Sequence, residues 1–132
     1  MRDVTFNLFV YGTLKRGGTA SHLMKDSTYI GTATVGGILY DMDGEYTALM
    51  LYGAEPVDGE VWCCPWQLLA RLDAYERVST GLFRRVGVSV QHGNDAIPCW
   101  TYVAGPRLTR RLTPSRRIRT SGRAEERKSE RR

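Results

Sequence analysis

The chain has 132 residues, 42% of them hydrophobic and 25% charged, which suits one packed domain and is too short for two comfortable ones. No apolar run approaches the roughly 20 residues of a membrane helix. The stretch Met1-Arg2-Asp3-Val4-Thr5 lacks the basic start and apolar core of a secretory signal, so a cytoplasmic protein without membrane association is expected.

The net charge of +5 is unevenly placed. Residues 107–132 hold 11 of the 19 Lys and Arg but 3 of the 14 Asp and Glu, a net +8, which leaves residues 1–106 at −3. The body is mildly acidic and the basicity belongs to the C-terminal segment. Two domains of behaviour are therefore expected: a folded unit over 1–106 and a basic, disordered tail over 107–132. Apolar residues thin out after Gly105 to Leu108, Leu112 and Ile118, too few to offset the entropy of ordering.

In chain order, the run Leu8 to Tyr11 reads as a strand of β-branched and aromatic residues that stops at Gly12. Thr13, Leu14, two cations and Gly17-Gly18 follow, and a short helix capped by Thr19 or Ser21 is expected next. Strands are predicted over Tyr29 to Val35, around Ile38-Leu39-Tyr40, over Tyr46 to Leu51, and near Val61. Asp41, Asp43 and Glu45 alternate as in a calcium loop but lack the downstream ligand spacing, so a plain turn is the reading. Pro65 to Tyr75 is the one convincing helix, with Pro65 at its first position and Leu68, Leu69, Leu72 and Tyr75 on a core-facing stripe. Phe83 to Gln91 and Ala96 to Val103 form a strand pair around a turn at His92-Gly93-Asn94-Asp95. Several strands, one helix and a closing strand pair predict an α+β fold. Its mixed or antiparallel sheet would be curled into a small β-barrel, with one main helix and short flanking helices.

Cys63, Cys64 and Cys99 are too few and too oddly placed for a disulfide framework. With His22 and His92 they show no metal-binding spacing, so no metal site is expected.

Two stretches carry chemistry. Gly12, ending the first strand, lets a ligand approach bare backbone, and N–H groups exposed at such a turn can cradle an anion or a developing oxyanion. An ordinary strand-to-loop turn is the other reading of the same residues. The second stretch is Leu72-Asp73-Ala74-Tyr75-Glu76, where a carboxylate closes a helix. Negative charge is slightly unfavourable at that end of the helix dipole, so a structural reason for Glu76 is not obvious. Asp73, one turn earlier, is the rival carboxylate, and a surface role is favoured for it.

The order Tyr11-Gly12-Thr13-Leu14-Lys15-Arg16-Gly17, the segment ending in Glu76, the Phe83-Arg84-Arg85 strand and Trp100-Thr101-Tyr102-Val103 together resemble the γ-glutamylcyclotransferase-like (AIG2-like) family over roughly residues 7 to 104. The resemblance implies that Glu76 is the catalytic acid/base. It also implies that Tyr11, Gly12, Thr13, Leu14 and Tyr102 bind a small-molecule γ-glutamyl substrate, with no metal or organic cofactor. The implied reaction is intramolecular cyclisation to 5-oxoproline with release of an amine. Two positions depart from the family's pattern: Arg77 stands where many relatives carry glycine, and Phe83 where many carry a tyrosine that offers a hydroxyl.

Two readings of another class accompany this one. A protein of the same fold could bind small molecules or act as a scaffold without the chemistry. Arg110, Arg111, Arg116, Arg117 and Arg119 in the tail could contact nucleic-acid phosphates, although without interleaved aromatics a solvated extension is favoured.

Overall fold

The computed structural model describes residues 4–12 and 21–118. Its first strand, β1 (Thr5–Val10), leads through a 3-10 turn at Ser21–Met24 to β2 (Thr28–Gly36), β3 (Ile38–Met42), β4 (Tyr46–Met50) and β5 (Pro56–Pro65). Helix α1 (Leu68–Tyr75) and a 3-10 turn at Val78–Thr80 precede the long hairpin of β6 (Phe83–His92) and β7 (Asp95–Ala104). Helix α2 (Pro106–Thr109), a 3-10 turn at Pro114–Arg116 and β8 (Arg117–Ile118) complete the described chain.

Five strands close a barrel in the order β1-β5-β2-β6-β7. Neighbours are antiparallel except where β1 meets β7 in parallel, Leu8 opposite Trp100. A second sheet has the order β4-β3-β8. The expected α+β barrel with one main helix and short flanking helices is the observed architecture.

Side-chain alternation along β1 joins two cores. Phe9 packs with Val57, Val61, Val90 and Val103 in one cluster, while Leu8 and Val10 point the other way, toward Met42, Cys64, Leu72 and Leu82. Gly59 on β5 makes the first cluster possible, because a Cβ there would lie 2.5 Å from the Phe9 ring and from the Val10 carbonyl oxygen. Burial also pushes the Cys64 and Cys99 thiols up to about 11, so both pack as small hydrophobes.

Three expectations are corrected. Pro65 is not the first helical residue: it ends β5 opposite Thr5, and the next N–H, of Trp66, donates to the Val4 carbonyl at 3.0 Å, so the chain stays tied to β1 before the helix starts. Tyr75 is not part of the core stripe; it is 43% exposed and stands at the rim of a cavity.

The third correction concerns the tail, where residues 107–118 are built into the fold. Leu108 is fully buried, Leu112 packs beside it, and Ile118 pairs with Leu39 at the edge of the small sheet. Arg111 and Arg116 are not free for phosphates either, since both bind Asp43 at the tip of the β3–β4 hairpin, at 3.1 and 2.7 Å. The scarce apolar residues lie where the core needs them, which a composition average does not register. The remainder of the expected tail, 119–132, lies outside the described residues.

Candidate active site

The end of β1, the tip of the β3–β4 hairpin, the end of α1, the start of β6 and Tyr102 of β7 enclose a cavity of about 370 Å³. Tyr11, Gly12, Glu76 and Tyr102 all line it, so the two sequence stretches singled out above meet around one space. Thr13 and Leu14 lie outside the described residues.

Local structure explains why Glu76 is placed there. Leu68 and Leu72 anchor α1 in the core, and the helix stops at Glu76, whose N–H still donates to the Leu72 carbonyl at 2.9 Å. Arg77 then turns the chain in the left-handed conformation, φ 54° and ψ 46°, its N–H on the Ala74 carbonyl and its own carbonyl taking the Leu82 N–H. This reversal swings the backbone from α1 into β6 and leaves Glu76 facing the cavity. Burial there pushes the Glu76 carboxyl up to about 7. A carboxyl poised near neutrality takes up and gives back a proton with little driving force lost either way.

Gly12 stands opposite in the lining, and a Cβ built on it meets nothing within 4 Å among the described residues. Among the described residues, neither packing nor a left-handed backbone demands glycine at this position.

The two phenols are held by specific partners. Tyr11 donates its hydroxyl to the main-chain oxygen of Tyr102, tying the end of β1 to β7. Burial, and next the nearby Glu76 charge, raise its pKa, so it stays protonated. Tyr102 donates to Asp73 Oδ1 at 2.6 Å, and its pKa is raised by burial and then by that hydrogen bond. Arg85 grips the same carboxylate with both prongs, Nε to Oδ1 at 2.9 Å and Nη2 to Oδ2 at 3.1 Å. Partial burial works to raise the Asp73 pKa, but the hydrogen bonds from Arg85 and Tyr102 outweigh it and hold the carboxyl below its usual range. Asp73 is thus no solvated surface residue, although sequence spacing favoured that role.

Sequence reasoning also left out the hairpin wall of the cavity, formed by Asp41, Gly44, Glu45, Tyr46 and Thr47. The Asp41-Met42-Asp43-Gly44 signal was legible as a turn, and it is one: the Gly44 N–H binds Asp41 Oδ1 at 3.0 Å. Nothing in that signal says that the turn overhangs a site. Phe83, which the family comparison marked as lacking a hydroxyl, is buried in the lining and meets Tyr46 edge-on, with ring centroids 6.0 Å apart.

The molecule is thus a small closed β-barrel protein with a partly buried carboxyl at a helix end, facing a cavity beneath a glycine-ended strand. The family model described as "Gamma-glutamyl cyclotransferase, AIG2-like" matches residues 8–122, and the chain belongs to that family. It is 33% identical over 103 residues to the γ-L-glutamyl-butirosin B γ-glutamyl cyclotransferase of Niallia circulans, a match that spans 74% of this chain and 65% of that protein. Its fold is similar to that of an AIG2-like protein from Mus musculus (TM-score 0.67, 21% identity, 85% of this chain and 82% of that one). An uncharacterized protein from Pyrococcus horikoshii is similar in the same way (TM-score 0.65, 21% identity, 86% of each chain). Among the described residues no helix is long and apolar enough to cross a membrane.

Proposed function

We propose that this chain is a γ-glutamylcyclotransferase that converts a γ-glutamyl amine or γ-glutamyl amino acid to 5-oxoproline and a free amine, with Glu76 as general acid/base. The observation that carries the reading is the half-buried Glu76 carboxyl, raised to about 7, in the same cavity as the Tyr11-Gly12 strand end. Family membership supports the substrate class, as does a relative named for γ-L-glutamyl-butirosin B.

The substrate carries both reactants. Its α-amine attacks its own γ-carbonyl, the new C–N bond closes a five-membered ring, and the original C–N bond to the leaving amine breaks. Holding the two groups together supplies several kcal/mol of barrier lowering by orientation alone. Between α-ammonium and lactam N–H the attacking nitrogen sheds two protons, and Glu76 takes them in turn and passes them to the departing nitrogen, which leaves as an ammonium, so the enzyme ends as it began. Backbone N–H groups from Tyr11 through Leu14 hold the substrate's oxygens, including the one that gains charge in the tetrahedral intermediate.

The test is an assay of 5-oxoproline release from a panel of γ-glutamyl amines and amino acids. The wild type should process at least one member, and Glu76→Gln should lower kcat by about 10²–10⁴-fold. A rate unchanged in the variant removes the role from Glu76. A panel without any turnover favours a binding or scaffold role for the same fold.

A further inference from the structure

Asp73 performs none of the steps above, yet three hydrogen bonds from two strands converge on its carboxylate. Arg85 and Tyr102 are direct partners across β6 and β7, so their side chains share one face of the ribbon. Asp73 reaches that face from α1 and binds both. The Arg85 guanidinium is fixed a second time, 4.7 Å over the Trp100 ring.

The consequence is directional. An ionised carboxylate only accepts hydrogen bonds, so the Tyr102 hydroxyl has to donate to it. A phenol has a single proton. With that proton committed to Asp73, Tyr102 meets an occupant of the cavity through its oxygen lone pair, as an acceptor. One helical turn beyond Asp73, Glu76 lines the same cavity, so the tether that aims Tyr102 also fixes the stretch of α1 that carries the base.

We propose that Asp73 is a positioning residue for recognition of the substrate's α-ammonium group: it makes Tyr102 an acceptor and registers α1 so that Tyr102 and Glu76 receive the same N–H donors. The inference rests on the γ-glutamyl reading and specifies which part of the substrate this wall of the cavity recognises. A ligand that lacks the ammonium should be indifferent to the Asp73–Tyr102 pair.

The experiment compares two ligands that differ only in that group: the best γ-glutamyl substrate from the panel, and its glutaryl counterpart, which has hydrogen in place of the amine and cannot cyclise. Binding is measured by calorimetry in the Glu76→Gln background, where turnover is suppressed, with Asp73→Asn or Tyr102→Phe added. Each added substitution should weaken the γ-glutamyl ligand about tenfold and leave the glutaryl ligand within about twofold, the difference expected for a hydrogen bond to a charged group. Tyr102→Phe leaves the Asp73–Arg85 pair intact and carries the test if Asp73→Asn does not fold. Equal losses for both ligands, or no loss for either, overturn the assignment while the wild-type release of 5-oxoproline still stands. A wild type that cyclises no panel member overturns both readings.

Discussion

Arg77 follows Glu76 directly and holds φ 54°, so the candidate base sits one residue before a left-handed turn made by a residue with a long side chain. Glycine would adopt this conformation without the clash between Cβ and the following carbonyl, which costs about 1–2 kcal/mol for other residues. Arg77→Gly should stabilise the fold by about 0.5–1 kcal/mol once the larger unfolded-state freedom of glycine is set against the relief. Thermal unfolding should shift up by about 2–6 °C. Because Arg77 also lines the cavity, the same variant removes a cation from its wall. KM should rise for γ-glutamyl amino acids, whose leaving portion bears a carboxylate, and change little for γ-glutamyl amines. An unchanged or lower melting temperature would mean that the turn is not strained by its side chain.

The raised Glu76 carboxyl links stability and activity to pH. Burial lifts it from an ordinary 4.5 to about 7, so between those values the folded protein keeps a proton that the unfolded chain has released. Stability therefore falls as pH rises through this window. Glu76→Gln, neutral throughout, should melt above the wild type at pH 8 and together with it at pH 4. Activity runs the opposite way, since the base works ionised: kcat/KM should climb about tenfold per pH unit below 7 and level off above it. Parallel melting curves for the two proteins across pH would show that Glu76 is not buried as described.

The C-terminal segment offers a test of the corrected fold boundary. Leu108, on α2, is fully buried, although it lies in a stretch whose composition reads as unstructured. Leu108→Ala should cost about 2–4 kcal/mol, visible as an earlier midpoint in urea unfolding. Arg116→Ala removes one partner of the exposed Asp43 and should shift the midpoint little, as expected for surface ion pairs. A midpoint unmoved by Leu108→Ala would mean that the segment does not dock.

How much of this was legible in the sequence follows from the range of each signal. Alternation and glycine turns are local, so the strands, the β6–β7 hairpin and the closing of α1 near Glu76 could be read directly. The meeting of Tyr11-Gly12 with Glu76 is long-range and came from resemblance to a family, not from spacing. Asp73 was misread because its partners, Arg85 and Tyr102, are set by the register of β6 against β7 and leave no mark around residue 73. The hairpin wall was missed for a similar reason: Asp41 to Thr47 announce a turn, but only the packing of the small sheet brings that turn over the cavity. The tail was misjudged because a handful of well-placed apolar residues is enough to dock a short segment on an existing core.

Gly12 separates a structural from a functional need for glycine. Its backbone is not left-handed, and an added Cβ would meet nothing within 4 Å among the described residues. Gly12→Ala should therefore fold normally, with stability equal to the wild type or higher by about 0.4–1 kcal/mol through reduced unfolded-state entropy. On the proposed γ-glutamyl reading the methyl group would instead stand where the substrate's carbonyl approaches the backbone N–H groups. KM should rise about tenfold or more and kcat should fall, because an oxyanion moved away from its donors loses stabilisation in the transition state most of all. Steady-state kinetics beside a thermal melt distinguish the cases. Loss of activity with an unchanged melt assigns the glycine to substrate approach, whereas unchanged kinetics would leave the strand end as a plain turn.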